Sequence, residues 1–248
     1  KSPSKSSPVR RTFSATPPTP SVTRSGTTTP PSQSGTIRIN VVDEQTGAPV
    51  PARLGLYDAT GRTPLPSSES LLMHRYADET RLLWVSGRIT WPSANRQIFY
   101  VDRSYEADVP AGSYELVASK GLEYRLHQSS VDIVPNQTTT VTISMQRYAN
   151  QPERGWYSGD DHLHLMRDEV NDMNVWGMVA AEDVHVGNLL EMGNIVTTYY
   201  RQPAWGEAGR FLRDGHMILS GQEGPRTAQR GHTIHLNNPD WIDLSADQ

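Results

Sequence analysis

The chain has 248 residues and contains no cysteine. Its length exceeds a typical domain of about 100–200 residues and predicts two folded units. The lack of cysteine excludes disulfides, iron–sulfur clusters, thiolate metal sites and a cysteine nucleophile. The 23 basic and 27 acidic residues give a net charge of −4, which is too mild to indicate a nucleic-acid-binding protein. Because the chain has no cysteine, any metal must be held by His, Asp or Glu.

Residues 1–35 form a leader that differs in composition from the rest of the chain. They contain nine Ser, seven Thr, seven Pro and five basic residues without an acid, so the leader carries +5 and the remainder −9. Such a segment has too little apolar surface to offset the entropy of ordering it, and we expect an extended or disordered linker. Its composition suits O-glycosylation of an exported stalk, with the signal peptide already removed. No window has the roughly 20 apolar residues of a membrane span.

Residues 36–150 alternate apolar and polar side chains in short segments. The alternation is clear at 37–41, 114–118 and 141–145, with turn residues between the segments. Short strands at this spacing predict an antiparallel β-sandwich. The turn residues 135–137 predict that the last two strands form a hairpin. The irregular insertion 62–97 is expected to cap the sandwich or to pack on a neighbouring domain.

Two motifs in this segment resemble a known family. The sequences VVDEQTGAPVPA at 41–52 and DVPAGSY at 108–114 are similar to those of the carboxypeptidase-regulatory-like, transthyretin-like β-sandwiches. These motifs mark turns and core strands, so the resemblance implies a fold and no activity. We expect a spacer or docking module here.

Residues 151–248 contain six of the eight histidines. His162 and His164 are two residues apart, so on a strand both side chains point to the same side and can reach one metal. Apolar residues at helical spacing follow over 170–180, and then a strand over 184–190, which predicts a β-α-β unit. Glu223 follows the short apolar segment 217–220, at the carboxyl end of a strand, where active groups of α/β proteins lie. His232 stands at the entry of another short strand-like segment. A set of imidazoles and one carboxylate suits Zn, Mn or Fe.

The same region looks like the beginning of a PHP-type metallohydrolase domain (the polymerase and histidinol phosphatase superfamily), in the branch similar to carbaryl hydrolases. The resemblance lies in GWYSGDDHLH at 155–164, AEDVHV at 181–186, GQE at 221–223 and GH at 231–232. It implies a (β/α) barrel in which His162 and His164 bind one metal, Glu223 bridges two and His232 binds the second. By the same resemblance Asp160 is the catalytic-site carboxylate that orients a ligand imidazole.

The chain also departs from this family. Asp161 stands where relatives have an apolar residue, and Glu191 stands near the position of an Asp-His pair, where it is an alternative ligand. The family's later ligands, a His and an Asp-x-His, have no counterpart before Gln248, so about half of the expected barrel is missing. His185 is expected to be a core histidine and His235 a packing residue.

Two functions from different classes remain open. The first is an exported metal-dependent hydrolase that uses a metal-activated water on a phosphoester or on an amide, carbamate or ester bond of a small molecule or polymer. The alternative is a non-catalytic extracellular structural or assembly subunit, in which the sandwich, the partial α/β unit and the leader build a homo-oligomer or filament. Neither function involves nucleic acid or a membrane span.

Overall fold

The computed structural model describes residues 33–63, 70–75, 84–86, 89–91, 96–168, 171–193, 198–227 and 231–243. The described residues belong to one compact unit that begins at Ser32. The predicted leader, up to residue 32, and parts of the insertion 62–97 lie outside the described residues. Within the described ranges, no helix is long and apolar enough to cross a membrane.

Two sheets facing each other form the first half of the fold. One has the strand order β11-β1-β8, and the other has the order β10-β9-β2-β7-β3, with β6 also paired to β7. A short hairpin of β4 and β5 lies apart from both sheets. The strands are β1 (Ser34–Asp43), β2 (Ala52–Tyr57), β3 (Ser70–Leu71), β4 (Met73–Arg75), β5 (Trp84–Ser86), β6 (Ile89–Trp91), β7 (Arg96–Val101), β8 (Ser104–Pro110), β9 (Gly112–Ser119), β10 (His127–Ile133) and β11 (Thr138–Met145).

The alternating apolar side chains of both sheets fill one core. Ile37 and Ile39 of β1 are fully buried against residues of the opposite sheet such as Leu54 and Leu116. Burying one such side chain stabilises the folded state by about 1.5–3 kcal/mol. The apolar residues that alternate in the sequence are therefore the ones that stabilise the sandwich.

The predicted hairpin between β10 and β11 is wrong. β10 pairs with β9, whereas β11 crosses to the other sheet and pairs with β1 in parallel. The turn between them is bonded to the start of β1: the N–H of Asn136 donates to the carbonyl of Ser34, and the N–H of Thr36 donates to the carbonyl of Gln137. The alternation of apolar residues is the same whether β11 pairs with β10 or with β1, so it did not reveal the crossing. The parallel pair also means that the sandwich is not purely antiparallel.

A third sheet forms the second half of the fold, in the order β12-β13-β16-β15, with β14 on β13 and β17 on β16. β12, β13 and β16 are parallel. The elements are a 3₁₀ helix (Pro152–Arg154), β12 (Gly159–Leu163), α1 (Asp172–Ala181), β13 (Val186–Gly193), β14 (Thr198–Tyr199), a second 3₁₀ helix (Gly206–Gly209), β15 (Phe211–Arg213), β16 (His216–Thr227) and β17 (Gly231–His235).

The predicted barrel is wrong, because this sheet is open in the described part of the chain. The antiparallel strands β15 and β17 cover successive halves of β16 on the side away from β13. A parallel barrel would need that side of β16 for its next parallel strand. Over the described ranges, the architecture is mostly β, with several sheets and one α-helix, α1.

The helix α1 lies between the third sheet and the sandwich, and contacts β16 on one side and β2, β3 and β7 on the other. Its central Trp176 is fully buried, and the indole N–H lies 3.1 Å from the carbonyls of both Arg213 and His216. Gly177 allows the helix to approach β3 closely, since a Cβ there would lie 2.5 Å from Leu71.

Charged groups at the end of α1 connect the helix to the sandwich. Glu182 accepts hydrogen bonds from Arg53 (2.8 Å) and from the hydroxyl of Tyr100 (2.6 Å). Asp183 is buried and binds one guanidinium nitrogen of Arg147 through both carboxylate oxygens, at 2.8 and 2.9 Å. The ammonium of Lys120 donates to the carbonyl of Ala180 at 2.5 Å. We call this network the junction.

Candidate metal centre

The four residues predicted to bind metal come together near the carboxyl ends of the parallel strands, with His232 at the start of the antiparallel strand β17. Glu223 of β16 is the centre of the cluster, with a side chain that is only 2 % exposed. Its Oε2 lies 3.2 Å from Nε2 of His162 and 2.8 Å from Nε2 of His164. Its Oε1 lies 2.6 Å from Nδ1 of His232 on β17. The carboxylate therefore has two imidazoles on one oxygen and a third on the other.

The hydrogen-bond pattern around His164 leaves a lone pair directed into this cluster. Its Nδ1 lies 3.2 Å from the carbonyl oxygen of Leu190, and because a carbonyl only accepts, Nδ1 carries the hydrogen. In the neutral ring Nε2 then carries a lone pair. That atom faces the carboxylate of Glu223 and also Nε2 of His162, 3.0 Å away. Nε2 of His164 and Oε2 of Glu223 are then two acceptors 2.8 Å apart, which repel one another unless a proton or a metal ion lies between them.

The donor atoms fit a zinc-like ion. Ligands about 2.0–2.2 Å from a tetrahedral zinc lie roughly 3.4 Å from one another. The three distances among His162, His164 and Glu223 are 2.8–3.2 Å, so a few tenths of an ångström of spreading would admit the ion. The ring of Tyr200 stacks on His164 at 4.9 Å and covers one face of that imidazole.

Asp160 lies next to this cluster, with a contact different from the one predicted. Its Oδ1 accepts the backbone N–H of His162 at 3.0 Å, and its carbonyl accepts the side chain of Asn188. The carboxylate thus holds the backbone at the bulge in β12 rather than an imidazole ring. Its catalytic role was part of the hydrolase prediction.

The other polar residues singled out in the sequence have partners outside this cluster. Glu191, the alternative ligand, accepts from the backbone N–H of Gln202 (3.1 Å) and from the indole of Trp241 (3.0 Å). Burial raises the pKa of this carboxyl. His235 bonds to the carbonyl of Gly224 at 2.9 Å. His185 precedes β13 and belongs to a second cluster with Asp183 and His216.

Sequence reasoning did not find the groups that orient the ligands. Leu190 acts through its backbone carbonyl, and Tyr200 acts through ring stacking. Both depend on the pairing of β12 and of β14 with β13, and the sequence of one strand does not specify its partner. The Asp183 cluster was also missed, because its histidines are 31 residues apart in the sequence and carry no motif.

Comparison with known proteins gives no family for this chain. No family model matches it, and no curated protein matches it. It is similar to the minor pilin GBS52 of Streptococcus agalactiae (18 % identity over 48 % of this chain and 46 % of that chain, TM-score 0.30). It is also similar to the group B streptococcus pilus 2b backbone protein (21 %, 48 % and 43 %, TM-score 0.31) and to the phospholipase PlaB from Legionella pneumophila (13 %, 48 % and 26 %, TM-score 0.25). The chain spans less than half the length of each.

The assignment to the PHP-type metallohydrolases is wrong. No family model or curated relative supports it, and the described sheet is open where that family has a barrel. The prediction of a metal-dependent hydrolase falls with that assignment. The carboxypeptidase-regulatory-like motifs likewise match no family model. At these TM-scores the structural likeness carries no argument about function, which has to come from the geometry of the chain itself.

Proposed function

We propose that the chain is a non-catalytic extracellular structural subunit that bears tension along its length. The observation that carries this proposal is the parallel pairing of the first and last strands of the sandwich. β1 and β11 are in register over eight residue pairs, from Thr36 with Thr138 to Asp43 with Met145.

This pairing decides how the sandwich responds to a pull. Tension enters β1 at its amino end and leaves β11 at its carboxyl end, and in parallel strands these ends lie at opposite ends of the ladder. The two strands are therefore pulled past each other, so that all the hydrogen bonds between them are loaded together. If the force entered both strands at the same end, the bonds would break one at a time, each at a net cost of about 1 kcal/mol.

The junction supports the same role, since it fixes the third sheet to the sandwich. Arg147 lies two residues after the end of β11, and it binds Asp183 beyond α1 and Glu123 of the sandwich. The guanidinium side chain is 11 % exposed and the Asp183 side chain 4 %. Breaking a buried pair of this kind typically costs 3–5 kcal/mol, because a charge is left without a partner.

We also propose that His162, His164 and Oε2 of Glu223 hold one divalent cation, with His232 binding the other oxygen and holding the carboxylate in place. Zn, Mn or Fe would suit these donors. The ligands come from the end of β12 and from β16, which are separated in the sheet by β13. A cation here would tie the parallel strands together at their carboxyl ends. The role proposed for it is structural.

The mechanical proposal can be tested by pulling the full chain through chosen points. Because the chain has no cysteine, two introduced thiols define the pulling points without interference. Gln33→Cys with Gln146→Cys loads β1 and β11 in shear. Gln33→Cys with Gln137→Cys is the matched control, because these two residues flank the same end of the β1–β11 ladder and peel it. All three positions are exposed.

We expect the shear pair to rupture at no less than about twice the force of the peeling pair at the same loading rate, because shear breaks many bonds of about 1 kcal/mol together. Equal rupture forces for the two pairs would contradict the proposal. Thermal unfolding of both variants against the unmodified chain establishes that the substitutions leave the fold intact.

A further inference from the structure

A second cluster of side chains that can bind metal lies at the amino ends of the parallel strands of the third sheet, whereas Glu223 lies near their carboxyl ends. His185 precedes β13 and His216 begins β16, so both lie at the amino ends of the parallel strands. One nitrogen of each ring and one carboxylate oxygen of Asp183 lie within 4.8 Å of one another. The two rings stack with centroids 4.9 Å apart and planes 20° apart.

Hydrogen bonds fix the tautomer of both imidazoles. Nδ1 of His216 lies 2.8 Å from the carbonyl of Val184, so this nitrogen must carry the hydrogen. The hydroxyl of Ser158 donates its only hydrogen to the carbonyl of Asp183 at 2.7 Å. It must therefore accept from Nδ1 of His185, 2.8 Å away. In both neutral rings the lone pair is on Nε2, which is the arrangement found in histidines that bind metal.

The surrounding charges suit a cation. Asp183 has two oxygens with about four lone-pair positions, and Arg147 uses one position on each, so that each oxygen keeps a position for a metal. Lys120, 4.0 Å from Asp183, is a second cation. Arg147 and Lys120 are balanced by Asp183 and by Glu123, which Arg147 also binds. The site therefore has no net positive charge to oppose a divalent ion.

Further charges beside the cavity are paired with one another, Arg103 and Arg213 with Asp102 and Asp214. Arg103 and Asp214 lie 2.5 Å apart and line the same cavity, which has a volume of about 390 Å³. Asp183 and His216 also line this cavity, so an ion has a path to the cluster.

We propose that Asp183, His185 and His216 form a second binding site for a borderline divalent cation such as Zn²⁺. Arg147 and Ser158 orient its ligands, as groups outside the coordination sphere do in metal sites generally. Because Arg147 belongs to the sandwich side of the junction, the ion would strengthen the attachment of the third sheet. This site does not depend on the cation proposed at Glu223.

The test is a count of zinc ions bound by the full chain, made by calorimetry and by elemental analysis after gel filtration. We expect two ions for the unmodified chain and one for His162→Ala with His164→Ala, which removes the Glu223 site. We expect one ion also for His185→Gln with His216→Gln, in which glutamine can still donate to the Val184 carbonyl. His127→Gln, a histidine of β10 bonded to Ser129, is the control and should retain two.

The outcomes separate the two sites. A chain with His162→Ala and His164→Ala that binds no zinc, or a His185→Gln and His216→Gln chain that still binds as many ions as the unmodified protein, would overturn the second site. Loss of an ion in the His185→Gln and His216→Gln chain supports the second site, whereas loss of an ion in the His162→Ala and His164→Ala chain supports the Glu223 site. Ser158→Ala keeps all three ligands but frees the His185 tautomer, and should raise the zinc dissociation constant of the second site by about 10–100-fold. An unchanged constant would contradict the proposal.

Discussion

The buried ammonium of Lys120 should make the stability of the chain rise between pH 8 and pH 10. Its side chain is 3 % exposed, and burial lowers the pKa of Lys120 from 10.5 to about 8. The unfolded chain therefore holds this proton more tightly than the folded chain does. The resulting destabilisation of the folded state has its full size below pH 8. It disappears as the pH approaches 10.5, the pKa of this lysine in the unfolded chain.

The size of the effect follows from the two pKa values. A difference of about 2.5 between them corresponds to about 3 kcal/mol at pH 7, of which about 2 kcal/mol is recovered between pH 8 and pH 10. The perturbation is Lys120→Met, which keeps the length of the side chain and removes the charge. The assay is the free energy of unfolding in urea at pH 7, 8, 9 and 10 for both proteins.

The unmodified chain should gain about 2 kcal/mol relative to the Lys120→Met chain between pH 8 and pH 10. Burial also raises the pKa of Tyr100 and that of Tyr124, the latter to about 12, and both tyrosines lower the stability as the pH approaches 10. They are present in both chains, so their effect cancels in the difference. If the free energies of unfolding of the two proteins change in parallel with pH, the reasoning is refuted.

Two further predictions concern the proposed cation and the junction. Glu223→Gln should weaken zinc binding at the first site by at least about tenfold in calorimetry, since it removes the anionic ligand, and a chelator should lower the melting temperature of the unmodified chain more than that of this variant. Unchanged zinc affinity would contradict a metal at Glu223. Arg147→Met should cost about 3 kcal/mol in urea unfolding by leaving Asp183 buried without its guanidinium, whereas Arg38→Met, which removes a pair in open solvent with Glu106, should change little. Equal losses in the free energy of unfolding would show that the Arg147–Asp183 pair stabilises the fold no more than a solvent-exposed pair does.

The sequence predicted the positions of most strands because apolar alternation is a local signal. The residues 37–41 and 114–118 lie within β1 and β9, and the helical spacing over 170–180 overlaps α1. Pairing between strands is not local, which is why the crossing of β11 to the sheet of β1 was missed. The barrel was wrong for the same reason, since nothing in 211–213 or 231–235 shows that these residues run antiparallel to β16.

The candidate site was partly accessible from the sequence. His162 and His164 are two residues apart on a strand, and the geometry of a strand places both rings on one side. Glu223 and His232 were predicted from their positions beside short apolar segments and from a family resemblance that proved wrong, and the structure does bring them to the same place. Asp183, His185 and His216 come together only through the packing of strand ends against the sandwich, which no spacing encodes.

The most direct measurement of the central claim is force spectroscopy on the chain pulled from its own two ends. The sandwich contains 112 residues from Ser34 to Met145, and their unfolding should release about 400 Å of chain at roughly 3.6 Å per residue. Because its terminal strands are loaded in shear, this step should come last and at the highest force. Release of that length first, at a lower force than the step from the third sheet, would contradict the proposed mechanical role.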